Sequence, residues 1–461
     1  MGKFFGTDGI RGVVNETLDA VLAYKTGCAI ATVLAQDKEQ TGGEKGGGKP
    51  SNNRPRVMIA KDTRISSSMI EAAISAGLCS AGADATMLGV LPTPAVAYLT
   101  VSTGADMGIV ISASHNPYEH NGIKVFGSTG FKLSDALEER IEYYIENDAE
   151  AAVMKNGDIG RLSGDHGYWT AEYVKYLTMA AQGRYTGRIA VDCANGAATE
   201  TARMLFEAIG ADFEIFSDEP DGVNINDKCG STSTGALQEI VKSGRFDVGF
   251  AFDGDADRCL VIDEKGEVTD GDMMLAVFAR VMKAENKLKG GGAVGTIVSN
   301  AGMDAYARSN GFELHRAPVG DRNVLEMMWE TGCNIGGESS GHLIFTDDAT
   351  TGDGQLTAVK YLNVLISSGM AASKLVSDIP SYPQVMPSFN LTGGAEQRDA
   401  IMSNPRLLAE IEKQQKLLAG EGRVLIRPSG TEPVIRVLVE AKTEQIANEK
   451  AQVFLKLMES L

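Results

Sequence analysis

Short apolar runs recur along the chain, separated by polar or glycine-rich turns and by amphipathic stretches. Each run is continuous and rich in Val, Ile, Phe or Ala, which predicts strands buried on both faces of a parallel sheet. Residues 68–81 predict a helix, and so does a segment in which Asp135 and Glu138 form a capping-box pattern ahead of apolar positions. This alternation of strands and helices predicts α/β domains. The apolar runs are 57–60, 108–111, 189–191, 248–252 and 294–298.

Polar residues follow four of these runs directly, where the predicted strands end. In open α/β sheets, ligands bind beyond the carboxyl ends of the strands, so the chemistry is expected there. The four polar segments are 61–64, 112–115, 192–195 and 253–255.

The character of the chain changes at a few places. Segments 156–167, 261–270 and 378–387 are candidate linkers. Beyond the last of them, residues 423–426 and 434–440 predict two strands around a loop, followed by a helix, which is an α+β pattern. Residues 41–50 form a glycine-rich insertion that predicts a surface loop, and no Ser or Thr follows Lys49 to complete a P-loop.

Composition excludes several classes of protein. The 461 residues are 43% hydrophobic and 23% charged, which is ordinary for a globular protein of three or four domains. The net charge of −18 disfavours nucleic-acid and anionic-membrane binding, although a phosphorylated small molecule remains compatible with locally placed cations. The six cysteines form no CxxC pair, and the N-terminus has no apolar signal segment. We therefore expect a cytoplasmic protein with reduced thiols.

Residues 253–258, DGDADR, carry three carboxylates at alternating positions after an apolar run. Extended chain would point Asp253, Asp255 and Asp257 the same way, and their repulsion would call for a cation. Mg²⁺ suits oxygen ligands at a site that also takes a phosphate. The alternatives are a solvated acidic turn and an EF-hand closed by Glu264, although Arg258 stands where an EF-hand has glycine.

Three further segments carry candidate chemistry. The serine loop, 112–117, offers Ser114 beside His115 and is either a nucleophile site or an Asx-type turn. The phosphate loop, 427–433, combines Arg427 with hydroxyls and backbone N–H groups, and Arg436 follows on the next strand; it is either an anion site or a plain hairpin loop. The sugar loop, 336–342, offers alternating polar side chains to sugar hydroxyls and is weak evidence alone.

The serine loop, DGDADR, GESSGH and RPSGTEP occur in the order found in the α-D-phosphohexomutase superfamily, and the chain resembles that superfamily over essentially its whole length. Segments 5–12, 320–322 and 350–354 resemble the members that act on glucosamine phosphates. The resemblance implies three mixed α/β domains and a C-terminal α+β domain around a central cleft. We expect these domains at 1–157, 158–258, 259–376 and 377–461.

The resemblance also implies residue roles, carried over by matching position. Phosphorylated Ser114 would be the phosphoryl donor, and its phosphate would hold one Mg²⁺ per subunit together with Asp253, Asp255 and Asp257. The reaction centre would further include Arg11, His115, Lys124, Arg258 and His342, with Lys124 and His342 as candidates for proton transfer. Substrate would be bound by Asp321, Arg322, Glu338, Ser340, Arg427, Ser429, Gly430, Thr431 and Arg436.

The implied reaction interconverts glucosamine 6-phosphate and glucosamine 1-phosphate through a sugar 1,6-bisphosphate, towards UDP-N-acetylglucosamine, a cell wall precursor. The alternative is a phosphomannomutase/phosphoglucomutase of the same superfamily, which would share every motif. A non-enzymatic phosphosugar-binding protein would lack a nucleophile or a metal carboxylate, and this chain keeps all of them. A homodimer is expected from the resemblance only.

Overall fold

The computed structural model describes residues 2–6, 8–40, 54–147, 151–418, 420–429 and 434–461. The glycine-rich insertion 41–50 lies outside the described residues. The described chain forms four sheets, each with its own helices. Within this part of the chain, no helix has both the length and the apolar character needed to cross a membrane.

The first sheet has seven strands in the order β1-β2-β6-β5-β3-β4-β7. Alternate residues of one inner strand (Arg56–Lys61) are buried on opposite faces: Val57 and Ile59 pack with the cluster under the first two helices, and Met58 and Ala60 with the cluster under the third. The strands are β1 (Phe5–Gly6), β2 (Gly9–Val13), β3 (Arg56–Lys61), β4 (Asp84–Val90), β5 (Met107–Ile111), β6 (His120–Gly127) and β7 (Leu162–Gly164). The helices are α1 (Ala20–Gln40), α2 (Ser67–Ser80), α3 (Thr93–Thr103) and α4 (Asp135–Glu146).

The second sheet has the order β12-β11-β10-β8-β9, and β10 pairs parallel to β8 and antiparallel to β11. Its strands are β8 (Arg188–Asp192), β9 (Asp212–Phe216), β10 (Val248–Phe252), β11 (Cys259–Asp263) and β12 (Val268–Thr269). The helices are α5 (His166–Met179), α6 (Ala198–Ala208) and α7 (Gly235–Ile240), and a π-helical turn (Val241–Arg245) follows α7.

The third sheet has the order β14-β13-β15-β16. Its strands are β13 (Gly292–Thr296), β14 (Glu313–Ala317), β15 (Ile335–Gly337) and β16 (Leu343–Phe345). The helices are α8 (Gly271–Ala284), α9 (Gly302–Ser309), α10 (Asp321–Thr331), α11 (Gly354–Ser368) and α12 (Ala372–Val376).

The fourth unit has a hydrophobic core of its own, and β20 pairs antiparallel with three strands. Its strands are β17 (Gln384–Val385), β18 (Ser388–Asn390), β19 (Arg423–Pro428) and β20 (Val434–Glu440). The helices are α13 (Gly394–Met402), α14 (Pro405–Leu417) and α15 (Glu444–Glu459). The α+β pattern expected for the end of the chain is therefore present.

Some local expectations were wrong. The apolar runs predicted parallel sheets, but the first three sheets are mixed, as the resemblance implied, because β6 runs antiparallel to β5, β11 to β10 and β16 to β15. The capping box does not form: Ser134 precedes α4, and Asp135, its first residue, pairs with Arg322 instead. Segment 261–270 is no linker, since it holds β11 and β12, and β7 adds to the first sheet beyond residue 157. The predicted domain bounds stay predictions.

Candidate active site

A cavity of about 740 Å³ is lined by residues from all four units. Loops beyond the ends of the strands supply most of its polar groups, as expected for α/β sheets. Its polar lining includes Asp8, Arg11, Ser114, His115, Lys132, Glu138, Asp257, Arg258, Asp321, Arg322, Glu338, His342, Arg427, Ser429 and Arg436.

Ser114 lines this cavity three residues beyond the end of β5. Its backbone has φ 53°, in the left-handed region, and its amide donates to Ser112 Oγ at 2.9 Å. The Ser114 hydroxyl donates to Asp253 Oδ2 at 2.7 Å and lies 3.4 Å from His115 Nδ1. A left-handed conformation at a non-glycine residue costs free energy and persists where surrounding contacts hold it. The Ser114 hydroxyl is therefore held in one orientation, beside a carboxylate.

Those contacts come chiefly from Arg64, which is buried and paired with Asp62 at 2.8 Å. The Arg64 guanidinium donates to the backbone carbonyls of Ser114, Asn116 and Pro117, at 2.9, 2.8 and 2.6 Å. From the second unit, Asn226 Nδ2 donates to the Ser114 carbonyl at 3.0 Å. The serine loop is thus fixed from two sides, and its hydroxyl remains directed at the second unit.

The carboxylates of Asp253, Asp255 and Asp257 converge, with one oxygen from each lying within 4.8 Å of the others. All three residues are buried. They converge through a turn and not through extended chain as we expected, because Ala256 between them has φ 55°. Asp255 Oδ2 accepts from Thr93 Oγ1 at 2.6 Å.

The carboxylate cluster fits a hard divalent cation. The buried atoms Asp255 Oδ1 and Asp257 Oδ1 have no hydrogen-bond partner among the described residues, and all donors of the cluster are oxygens. Burial, together with Asp257 and Asp255, raises the pKa of Asp253 well above its usual range. A cation would relieve this repulsion.

The EF-hand alternative is wrong. Glu264 lies beyond β11, and its carboxylate accepts hydrogen bonds from the backbone N–H and the hydroxyl of Ser373, at 3.1 and 2.5 Å. Glu264 therefore stabilises the contact between β11 and α12 and is not part of a metal loop.

Lys124 lies behind the cavity wall, almost completely buried. Its Nζ atom is 2.7 Å from Asp255 Oδ2, 3.3 Å from Asp8 Oδ2 and 3.7 Å from Asp257 Oδ2. Burial alone would lower the pKa of Lys124, but Asp255, Asp8 and Asp257 outweigh burial and raise it. Lys124 is thus a cation surrounded by three carboxylates.

Two arginines lie close to the serine loop. Arg258 Nη1 is 3.1 Å from His115 Nδ1, and the Arg258 amide donates to Asp253 Oδ1 at 3.2 Å. Arg11 pairs with Asp8. Burial, followed by Arg258 and Arg11, lowers the pKa of His115 to about 4, so this imidazole is neutral at pH 7. A neutral His115 can accept a hydrogen bond from Arg258.

His342 lies between two carboxylates, with Nδ1 3.5 Å from Asp257 Oδ2 and Nε2 3.8 Å from Asp321 Oδ2. The Gly352 amide donates to His342 Nε2 at 3.2 Å, which assigns the proton of the neutral ring to Nδ1. Position 352 must be glycine, because a Cβ atom there would lie 2.5 Å from His342 Nε2. Burial lowers the pKa of His342, but Asp257 and Asp321 outweigh burial and raise it.

The sugar loop divides into cavity-lining and buried positions. Glu338 lines the cavity and accepts from the Gly320 amide at 3.0 Å. Ser340 does not line it, and its hydroxyl is buried without a hydrogen-bond partner among the described residues. The predicted contact between Ser340 and substrate therefore has no support from the cavity lining.

At the opposite end of the chain, Arg427 on β19 faces Arg436 on β20 as a register pair, and both line the cavity with Ser429. Burial, followed by Arg436, lowers the pKa of Arg427. Two adjacent guanidiniums favour an anion between or beside them. Gly430 and Thr431 lie outside the described residues.

Several residues of the site were missed by sequence reasoning. Asp8 lies inside a quoted motif but received no role, while Lys132 and Thr93 carry no motif of their own. The run 61–64 after β3 did signal Arg64, which acts on the serine loop through the backbone. Arg322, which was predicted, pairs with Asp135 across the rim of the cavity at 2.6 Å.

Comparison with known proteins decides the family. Four models described as phosphoglucomutase/phosphomannomutase match in order: α/β/α domain I over residues 2–152, domain II over 171–266, domain III over 270–382 and the C-terminal domain over 392–457. A phosphoglucosamine mutase of Acetivibrio thermocellus is 44% identical over 461 residues, covering 100% of this chain and 99% of that protein. The chain belongs to the phosphoglucosamine mutase family.

Further relatives support this family. A phosphoglucosamine mutase of Clostridioides difficile is 44% identical and covers 98% of this chain and 97% of that protein. A phosphoglucomutase/phosphomannomutase family protein of Burkholderia thailandensis shares the fold, with a TM-score of 0.78, 24% identity, and coverage of 99% of this chain and 97% of that one. The phosphohexomutase resemblance and the four-domain architecture are thereby confirmed.

A solved structure of Aspergillus fumigatus N-acetylphosphoglucosamine mutase in complex with GlcNAc-6P and magnesium has the same fold. Its TM-score is 0.63 at 19% identity, and the match covers 83% of this chain and 93% of that one. At this identity the likeness shows the fold alone.

Proposed function

We propose that the chain interconverts glucosamine 6-phosphate and glucosamine 1-phosphate, and that Ser114 carries the transferred phosphoryl group. The observation that carries the proposal is Ser114 Oγ, 2.7 Å from Asp253, in the same cavity as Arg427 and Arg436. A nucleophile and an arginine pair in one cavity, beside a carboxylate cluster of which Asp257 lines that cavity, suit a substrate that has two phosphate positions. The preference for glucosamine is drawn from relatives that are 42–45% identical over their full length.

We assign the carboxylate cluster to Mg²⁺, which would be held by Asp253, Asp255 and Asp257 together with a phosphate on Ser114. Bound there, Mg²⁺ would offset negative charge on the phosphoryl group. The support is the two unpartnered carboxylate oxygens and the position of the Ser114 hydroxyl next to Asp253.

In the first transfer, the bond between phosphorus and Ser114 Oγ breaks and a bond to the sugar O1 forms. A base accepts the proton of the O1 hydroxyl, and a proton is delivered to Ser114 Oγ. The products are the 1,6-bisphosphate and free serine. In the second transfer, Ser114 Oγ loses its proton and takes the phosphoryl group from O6, which regains a proton. Atoms and charge balance over the two steps, and the enzyme returns to its starting form.

This chain contributes alignment and positive charge, which are the main requirements of phosphoryl transfer. Arg258 and Arg11 line the cavity on the Ser114 side and can face the oxygens of the moving group. Arg427 and Arg436 would bind the phosphate that is not being transferred. Because guanidiniums contact any phosphate dianion alike, they accept the 6-phosphate in one orientation and the 1-phosphate in the other.

Lys124 and His342 are the predicted candidates for proton transfer, and they flank the same carboxylate. Lys124 Nζ lies 3.7 Å and His342 Nδ1 lies 3.5 Å from Asp257 Oδ2. Both groups therefore lie beside the metal loop. A cytoplasmic location and a homodimer stay predictions.

The test is a comparison of kcat/KM for the phosphates of glucosamine, glucose and mannose, with purified enzyme and Mg²⁺. We expect glucosamine phosphate to be preferred by at least about tenfold, which corresponds to about 1.4 kcal/mol of transition-state binding. A preference for glucose or mannose phosphate would overturn the assigned substrate and favour the phosphomannomutase/phosphoglucomutase alternative.

A further inference from the structure

Lys132 connects carboxylates from two different units of the protein. Its Nζ atom lies 2.5 Å from Asp8 Oδ1 in the first unit and 2.6 Å from Asp321 Oδ2 in the third. Lys132 also lines the main cavity. No motif signalled this residue, and the proposed reaction gives it no role so far.

The backbone around Lys132 is held by both units. A turn follows β6, in which the Gly127 amide donates to the Phe131 carbonyl at 2.8 Å and Lys132 bridges to Phe126. The ring of Phe131 packs edge-on against Trp329 of α10, with centroids 5.1 Å apart. Thr350 Oγ1 donates to the carbonyl of Gly130 at 2.7 Å. The backbone at Lys132 is therefore held in place at the junction of the first and third units.

The contacts of Lys132 close a ring of neighbouring lysine, histidine and carboxylate side chains. From Lys132 the ring runs through Asp321 to His342 at 3.8 Å and on to Asp257 at 3.5 Å. On the other side it runs from Asp8 to Lys124 at 3.3 Å, and Lys124 lies 3.7 Å from Asp257. The ring, defined by Asp8, Lys132, Asp321, His342, Asp257 and Lys124, takes members from three units.

We propose that Lys132 is a positioning residue for the phosphoryl transfer: it holds Asp8 and Asp321 in place, so that Lys124 and His342 stay on either side of Asp257. Without the Lys132 ammonium, Asp8 would attract Lys124 more strongly, and Asp321 would lose the cation that holds it beside His342. Both changes disturb the position of a candidate proton-transfer group beside the metal loop. This inference rests on the proposed mutase reaction.

The competing explanation is that Lys132 binds a substrate phosphate directly. The two explanations differ in kinetics, because a direct phosphate contact contributes to substrate affinity, whereas misaligned catalytic groups lower the rate of the chemical step. Displacement of catalytic groups by about 1 Å can cost about 100-fold in rate.

The experiment compares Lys132→Met and Lys132→Arg with wild type in the full-length enzyme with Mg²⁺. We expect Lys132→Met to lower kcat by about 100-fold and to leave KM for glucosamine 6-phosphate within about twofold. Lys132→Arg, which can still pair with both carboxylates, should recover at least about tenfold of that loss. Lys289→Met is the matched control, since it removes a similar lysine–aspartate pair (2.6 Å to Asp347) on the surface of the third unit.

The combination of Lys132→Met with Asp321→Asn provides a second measurement. If Lys132 acts through Asp321, the loss in kcat of the double variant will be smaller than the product of the two single losses. A raised KM with unchanged kcat, or multiplicative losses, would overturn the positioning role. A wild-type enzyme without glucosamine phosphate mutase activity would instead overturn the proposed function, so the two failures are distinct.

Discussion

Arg427 and Arg436 lie directly opposite each other on β19 and β20, and both line the active-site cavity. Two cations so close repel each other, and burial and Arg436 lower the pKa of Arg427. A phosphate dianion would relieve this repulsion and gain hydrogen bonds to charged donors. A phosphate bound beside the two arginines would therefore be favourable.

We expect Arg427→Ala to raise KM for glucosamine 6-phosphate by about 10- to 100-fold, because a hydrogen bond to a charged group contributes about 1.5–3 kcal/mol. Steady-state kinetics of the variant measure this change. Lys442→Ala is the control, since Lys442 pairs with Glu421 on the surface of the same unit. An unchanged KM in Arg427→Ala would count against the phosphate-binding role.

Four residues further along the same two strands, Arg423 pairs with Glu440 at 2.8 Å, and Glu440 is completely buried. Glu440 also accepts from the Ala301 amide of the third unit at 3.0 Å. Glu440→Ala leaves Arg423 without its counterion and should destabilise the fourth unit by about 3–5 kcal/mol.

Hydrogen exchange of the β19 and β20 amides in the Glu440→Ala protein measures that loss. Lys442→Ala breaks an exposed pair. In this variant the free energy of opening derived from exchange should change by no more than about 0.5 kcal/mol. If the β19 and β20 amides were equally protected from exchange in the two variants, the buried pair would not stabilise this unit.

The carboxylate cluster predicts a response to magnesium. Without a divalent cation, burial and two neighbouring carboxylates disfavour the ionised form of Asp253. Mg²⁺ should therefore raise the Tm of the chelator-treated wild type and restore its activity. The Tm of Asp253→Asn should equal or exceed that of chelator-treated wild type, and it should rise little when Mg²⁺ is added. If the variant gained as much as wild type, Asp253 would not be a ligand.

Glu138 lies in the cavity wall, and burial raises its pKa to about 7. Its pKa in the unfolded chain is about 4.3. Because the folded pKa is the higher one, wild type loses stability as pH rises from about 4 to 7, and the loss is complete above that range. Glu138→Gln avoids this loss.

We expect Glu138→Gln to be more stable than wild type by about 1 kcal/mol at pH 8, since Glu138 is partly exposed and solvent screens its charge. The difference should vanish at pH 4. Thermal unfolding of both proteins across this pH range measures it. A constant difference at all pH values would indicate a packing effect and not a titration.

The sequence predicted the elements and motifs that depend on neighbouring residues. The apolar runs at 57–60 and 248–252 became β3 and β10, and the three aspartates after β10 converge in the structure. The alternating spacing predicted that the aspartates converge along extended chain. This was wrong, because the left-handed conformation of Ala256 creates a turn.

Residues whose roles depend on distant partners could not be predicted. Lys132 stands in an ordinary polar segment, and the packing of Phe131 on Trp329 and the hydrogen bond from Thr350 to Gly130 bring it to Asp321. The contact between Ser340 and substrate stays a prediction, and the Ser340 hydroxyl is buried without a hydrogen-bond partner among the described residues.

The claim that Ser114 carries the transferred phosphoryl group is tested most directly by the mass of the active enzyme. Intact-mass and peptide mass spectrometry of wild type should show one phosphoryl group, located on Ser114. Ser114→Ala should lack it and lose mutase activity. An active wild type without phosphate on Ser114, or a Ser114→Ala variant that turns over at the wild-type rate, would contradict the account.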